Sequence, residues 1–211
     1  MDDTTPTRAT LILRVQDTED QDSWAEFSEV YMPLIFGFCI KRGLKRADAA
    51  DVAQEVMRSL SLALGKAQYD PQRGKFRAWL FTAVRNAIST HYRKQERVPL
   101  SVAETTLLEY VSATPSHEDE ETWEHDYQSQ VLAWAMEKIR PEFADRIWRA
   151  FEATVIEELS AKEISKEINM SPNAVWVARH RVMKRLKEKV HSIDEGKWEQ
   201  EMIRECQSQA M

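Results

Sequence analysis

The stretch Glu158–Lys189 constrains this chain more than any other, because its punctuation and apolar spacing fit two short helices joined by a tight corner. Ser160 and Glu163 make an S-x-x-E capping box, in which each side chain satisfies a backbone N–H at the helix start. Ile164 and Ile168, four apart, give that helix one buried stripe. Asn169 stands at the corner, where a left-handed residue is wanted and Asn is tolerated better than most. Ser171 then caps a second helix, with Pro172 at the first helical position, where its missing N–H does no harm. Val175, Val182 and Leu186 fall on one side, while Arg179, Arg181, Lys184, Arg185, Lys187 and Lys189 cover much of the rest. Such a helix-turn-helix can lay its second helix in the DNA major groove, with cations meeting phosphates. An ordinary helical hairpin with a solvated basic face fits the same pattern.

A chain of 211 residues holds one domain or two small ones. Five glycines and few Val/Ile/Thr alternations favour an all-α protein. Thr10–Val15 (T-L-I-L-R-V) could pass for a strand, but nothing nearby offers a pairing partner, so a short helix is preferred. No apolar run reaches the length of a membrane span, and the N-terminus lacks the apolar core of a signal peptide, so no membrane insertion is expected. Cys39 and Cys206 are isolated, which points to a cytoplasmic protein without a structural disulfide or zinc site.

The net charge of −6 would argue against nucleic-acid binding if it were evenly spread, and it is not. Residues 73–97 carry Arg73, Lys75, Arg77, Arg85, Arg93, Lys94 and Arg97 against Glu96 alone. Residues 101–127 carry eight acidic side chains and no Lys or Arg. Residues 179–189 are basic again. Two cationic blocks separated by an acidic one suggest two separate nucleic-acid contacts.

A first unit is expected over residues 10–97. Ser23 and Glu26 offer a second S-x-x-E start, followed by Trp24, Phe27, Tyr31, Leu34, Ile35 and Phe38 at helical steps that continue through Pro33 to Gly43. Asp48 opens a second helix with Val52, Val56 and Leu60 inward. A turn at 69–74 leads to a third, Phe76–Lys94, with Phe76, Leu80, Val84 and Ile88 inward. Residues 98–129 lack sustained periodicity and read as a flexible acidic linker. A second unit spans 130–190, and 191–211 form a polar C-terminal extension of unassigned role, with a short helix through Trp198, Met202 and Ile203 conceivable.

With both units in view, the chain resembles the sigma factors of bacterial RNA polymerase, most closely the compact two-domain extracytoplasmic-function type. Asp48–Val56 (D-A-A-D-V-A-Q-E-V) resembles the family's D-A-E-D-L-V-Q-E-V-F helix. Phe76–Lys94 resembles its F-R-x-W-L-x-x-I-A-R-N helix, and the helix-turn-helix resembles its L-S-x-x-E-I-A unit with the cationic helix that follows. The resemblance implies a region 2-like bundle and a region 4-like helix-turn-helix. It implies that Asp48, Asp51, Gln54 and Glu55 meet the clamp helices of the largest subunit of core RNA polymerase. It implies −10 promoter contacts from Arg73, Lys75, Arg77, Arg85, Asn86, His91, Tyr92, Arg93 and Lys94. The −35 contacts would come from Ser171, Asn173, Ala174, Trp176, Val177, Arg179, His180, Arg181, Lys184 and Arg185. Promoter DNA and core polymerase are then the partners, with an anti-sigma factor as a third that such proteins can have. The chain departs from the family at Asn169, which replaces a turn Gly, and at Trp176, Val177 and Ala178, where Lys, Ser and Arg are common. Thr90 stands where Asp is frequent. Promoter preference therefore does not transfer.

Strand separation needs cations for the backbone and aromatic faces to hold an unstacked base, worth about 1–3 kcal/mol per base. Trp79, His91 and Tyr92 could stack or could simply be core, and Asn86 could bond a base edge or a backbone group. Asp51, Gln54 and Glu55 share one helix side and could steer docking onto a basic partner surface. An Asp51/Glu55 metal pair has no His at helical spacing; His117 and His125, flanking the acidic block, could bind a metal, but most such histidines are merely exposed. With no glycine-rich phosphate loop and no H-E-x-x-H, neither an enzyme nor a cofactor is expected. Two other classes stay open at this point: a stand-alone helix-turn-helix regulator, and a helical adaptor whose basic faces only solubilise it.

Overall fold

The ambiguous N-terminal segment folds as helix: Leu11–Arg14 make a single turn, α1. The computed structural model describes residues 11–17, 19–65, 76–95 and 117–193, and among these residues there is helix and no strand. Helix α1 is followed by α2 (Gln21–Lys41), α3 (Arg46–Gly65), α4 (Phe76–Gln95) and α5 (His117–Ile139). A 3₁₀ turn, Arg140–Glu142, leads to α6 (Asp145–Val155), α7 (Ala161–Glu167) and α8 (Pro172–His191). The chain divides into two compact units whose boundary lies between Gln130 and Val131, inside α5.

In the first unit α2 starts earlier than its S-x-x-E pattern suggests. Asp20 is the cap: its carboxylate accepts the Ser23 N–H at 2.9 Å and the Ser23 hydroxyl, which is itself buried. These bonds, chiefly the hydroxyl, hold the Asp20 carboxyl below its ordinary range. Glu26 is turned instead to Arg14, at 3.1 Å. The helix runs through Pro33 and stops at Gly43, whose φ of 83° closes a Schellman turn with the Leu44 N–H on the Cys39 carbonyl. Val52, Val56 and Leu60 of α3 and Phe76, Leu80, Val84 and Ile88 of α4 are buried as their spacing requires. Each such side chain contributes about 1.5–3 kcal/mol of burial free energy.

The acidic segment departs from expectation. Its residues up to 116 lie outside the described part, as do the C-terminal residues from 194 on. From His117 onward the chain is helix, and the physical reason is a stripe of Asp119, Trp123 and Tyr127, four apart and all buried. Trp123 lies between Phe38 and Phe81, with ring centroids at 5.2 and 5.4 Å, and Tyr127 stacks on Tyr31 at 5.8 Å. Three of the acids are counterions of the bundle. Asp126 takes Lys41 at 2.7 Å, Asp119 takes Arg42 at 2.7 Å, and Glu124 takes Arg77 at 2.9 Å. The start of α5 is thus a fourth long helix of the first unit rather than a tether.

The second unit is organised around α8. Ala150, Ala153, Ile164, Val175 and Ala178 form a buried cluster, with Ile147, Leu159, Ala161, Ile168 and Met170 packed against it. Lys189 lies 4.4 Å from the Trp134 ring centroid, a cation–π contact that joins α8 to the end of α5.

Candidate functional site

The corner between α7 and α8 is built by the residues that announce it. Ser160 donates its N–H to Glu163 at 2.8 Å and accepts the Glu163 N–H at 3.3 Å, a complete capping box. Asn169 takes φ 51°, and the Met170 N–H returns to the Ser165 carbonyl at 3.0 Å. Ser171 accepts the Ala174 N–H at 3.1 Å and Pro172 opens α8. A second left-handed residue, Glu158 at φ 56°, ends the approach from α6 and carries no turn signal in the sequence. Arg149 braces this corner by donating to both Glu157 and Glu167, and these bonds push its pKa upward.

With Val175, Ala178, Val182 and Leu186 turned into the core, α8 presents Ser171, Asn173, Trp176, Val177, His180, Arg181 and Lys184 to solvent. Ala174 and Arg179 are half-buried at the edges of that face. Trp176 and His180 are stacked, with centroids 5.1 Å apart and planes at 12°. Arg185 is engaged elsewhere. Its guanidinium forks onto Glu142 at 2.5 and 2.8 Å and reaches Glu188 at 3.4 Å. The fork lowers the Glu142 pKa and raises that of Arg185. Arg185 therefore ties α8 to the Arg140–Glu142 turn instead of standing ready for a phosphate.

On α3, Asp51, Gln54 and Glu55 are exposed on one side. Glu55 accepts from Arg58 at 2.6 and 3.1 Å, which lowers its pKa, with Lys94 of α4 adding a smaller pull. Leu62, seven residues beyond Glu55, is also exposed and extends this face with an apolar end. The sequence reading did not single it out, although it falls off the Val52–Val56–Leu60 stripe. Asp48 lies in the first turn of α3, 3.8 Å from His91 of α4, so two expected sites are neighbours.

The cations expected along α4 divide. Asn86, Arg93 and Lys94 are exposed, aligned with Ala78, Thr82 and Thr90. Trp79 and His91 are half-buried. Arg77, Arg85 and Tyr92 are not on the open side. Arg77 lies 4.7 Å from the Tyr127 ring centroid while holding Glu124, and Arg85 is only 7 % exposed, its guanidinium 5.7 Å from the Phe81 ring centroid. Tyr92 is buried, its hydroxyl donating to the Arg42 carbonyl at 3.4 Å. The reason is register: Arg77, Phe81, Arg85, Ile88 and Tyr92 follow at steps of three or four and form one face of the helix. Arg73 and Lys75 lie outside the described residues.

Compared with known proteins, residues 27–98 match the Sigma-70 region 2 family and residues 149–186 match the Sigma-70, region 4 family. The chain is also similar to an ECF RNA polymerase sigma factor, RpoE, of Cereibacter sphaeroides, with 31% identity over 88 residues. That alignment covers 41% of this chain and 47% of the relative, so it spans about half the length of the protein it matches. Among the described residues no helix is long and apolar enough to cross a membrane.

Proposed function

Because the chain belongs to the sigma-70 family, in its extracytoplasmic-function type, we propose that it binds core RNA polymerase and directs promoter-specific transcription initiation. The observation that carries this reading is the order of the two family matches, each falling on its own unit. The α3 face of Asp51, Gln54 and Glu55 would steer the protein onto a basic polymerase surface, with Leu62 as an apolar anchor at its end. Asn86, Arg93 and Lys94 of α4 would meet the opened −10 region, with Trp79 and His91 at the flank of that stripe. The outer face of α8 would take the −35 element, Arg181 and Lys184 on phosphates. Arg77, Arg85 and Tyr92 serve the bundle on this reading, and Arg185 serves the second unit.

Adding purified protein to core polymerase tests it: promoter-specific run-off transcripts are expected, with weak DNA affinity in the absence of core enzyme. Tight operator binding by the free protein and no transcript would favour the stand-alone regulator instead. Within the proposal, Asp51→Lys with Glu55→Lys should weaken polymerase assembly, and Arg181→Ala with Lys184→Ala should weaken upstream DNA contact while leaving assembly intact.

A further inference from the structure

Trp176 and Val177 are 48% and 43% exposed, side by side near the start of α8. They are two sizeable apolar groups in the middle of an otherwise polar and cationic face. Asn173 lies one turn before them, and Arg181 and Lys184 one to two turns after. The stack on His180 holds the Trp176 ring along the helix, so little side-chain freedom is left to lose on binding. In a major groove the one apolar feature of a base edge is the thymine C5-methyl. Asn is suited to the adenine edge through N6 and N7, whereas Arg or Lys is suited to guanine. At the central positions of this face no Arg or Lys is present.

We infer that α8 reads its upstream element through thymine methyl groups, seated on Trp176 and Val177, with Asn173 on a neighbouring adenine. The inference rests on the promoter-recognition reading above and gives it a chemical preference, A·T pairs in the centre of the element. The cations flanking the apolar pair favour DNA over a protein partner, because they continue the same face toward phosphates.

The test uses the full chain assembled with core polymerase. Upstream sequences are first selected from promoters randomised in that region, and each enriched thymine is then replaced by deoxyuridine, which removes only the methyl group. One or two positions should lose about three- to fivefold in binding, the scale of one buried methyl. Trp176→Ala should lose a similar factor and become indifferent to deoxyuridine at one of them. Val177→Ser, which removes both methyl groups, should do the same at the other. Both side chains are exposed, and thermal melting will verify that the variants remain folded. Enrichment of an upstream element with no methyl dependence overturns the inference and leaves the apolar pair to a protein partner. Enrichment of no upstream element at all would instead overturn the promoter reading, and the inference with it.

Discussion

The helix-turn-helix and the N-terminal bundle use the same residue types to different ends. At the corner of the second unit the decisive bonds are local: Ser160 with Glu163 and Ala174 with Ser171 are three residues apart. In the bundle they are remote, with Arg77–Glu124, Arg42–Asp119 and Lys41–Asp126 separated by 47, 77 and 85 residues. Part of the acidic block that looks like a tether is the counterion side of the bundle, meeting Lys41 and Arg42 of α2 and Arg77 of the basic block. Charge runs read along a chain therefore say little until it is known which run faces which.

The strongest way to break this contrast is to remove the aromatic that seats α5. Trp123→Ala should cost about 3–5 kcal/mol of the first unit's stability, as truncation of a buried Trp does. Hydrogen exchange should accelerate at residues 119–130, while the amides of α7 stay protected. Unchanged protection at 119–130 would mean that the stacking on Phe38 and Phe81 does not seat the helix. Asp119→Ala probes the charge half of the interface. It takes the Asp119 carboxylate from Arg42, whose side chain is 17% exposed, and should cost about 1–3 kcal/mol, less than loss of a fully buried pair.

These two side chains also mark where the sequence stops being legible. Asp119, Trp123 and Tyr127 recur every four residues, yet the acids between them hide that stripe, and α5 is a weak amphipath by composition. Its partners, Phe38 and Phe81, are more than 40 residues away in the chain. In α4 the inward apolar set was readable, because Phe76, Leu80, Val84 and Ile88 keep one spacing. Arg77 and Arg85 were not: Arg77 turns toward a carboxylate and a ring, Glu124 and Tyr127, that a helix remote in sequence supplies, and Arg85 is buried beside Phe81 of its own helix. The outer face of α8 was largely legible for the opposite reason: its caps place the helix, and Val175, Val182 and Leu186 fix its rotation. Arg185 is diverted, by Glu142, 43 residues earlier.

A local signal should fail locally. Ser160→Ala removes one half of the capping box and should cost about 1 kcal/mol. It should also change the acid limb of stability. The bonds from the Ser160 hydroxyl and N–H hold the Glu163 pKa below its ordinary 4.5, so their contribution is present above that value and lost as pH falls through the folded pKa. Stability of the second unit measured from pH 6 to pH 3 should therefore fall less steeply in Ser160→Ala than in the parent. An identical slope would mean that the box does not persist in solution.

The smallest expected effects sharpen the comparison most, because they separate a readable turn from an unreadable one inside the same unit. Glu158 and Asn169 hold nearly the same left-handed backbone, at φ 56° and 51°. Asn tolerates that conformation through its short polar side chain, whereas a longer side chain carries the full steric penalty of about 1–2 kcal/mol. Glycine relieves the penalty but returns about 0.5–1 kcal/mol as chain entropy. Glu158→Gly should accordingly stabilise the second unit by about 0.5 kcal/mol, and Asn169→Gly should shift it by no more than a few tenths. Both are measurable as displaced midpoints in urea at constant slope. Equal gains at the two positions would mean that Asn169 was as strained as Glu158. The corner would then be imposed by packing of Ile164, Ile168 and Val175 rather than written in its turn residue.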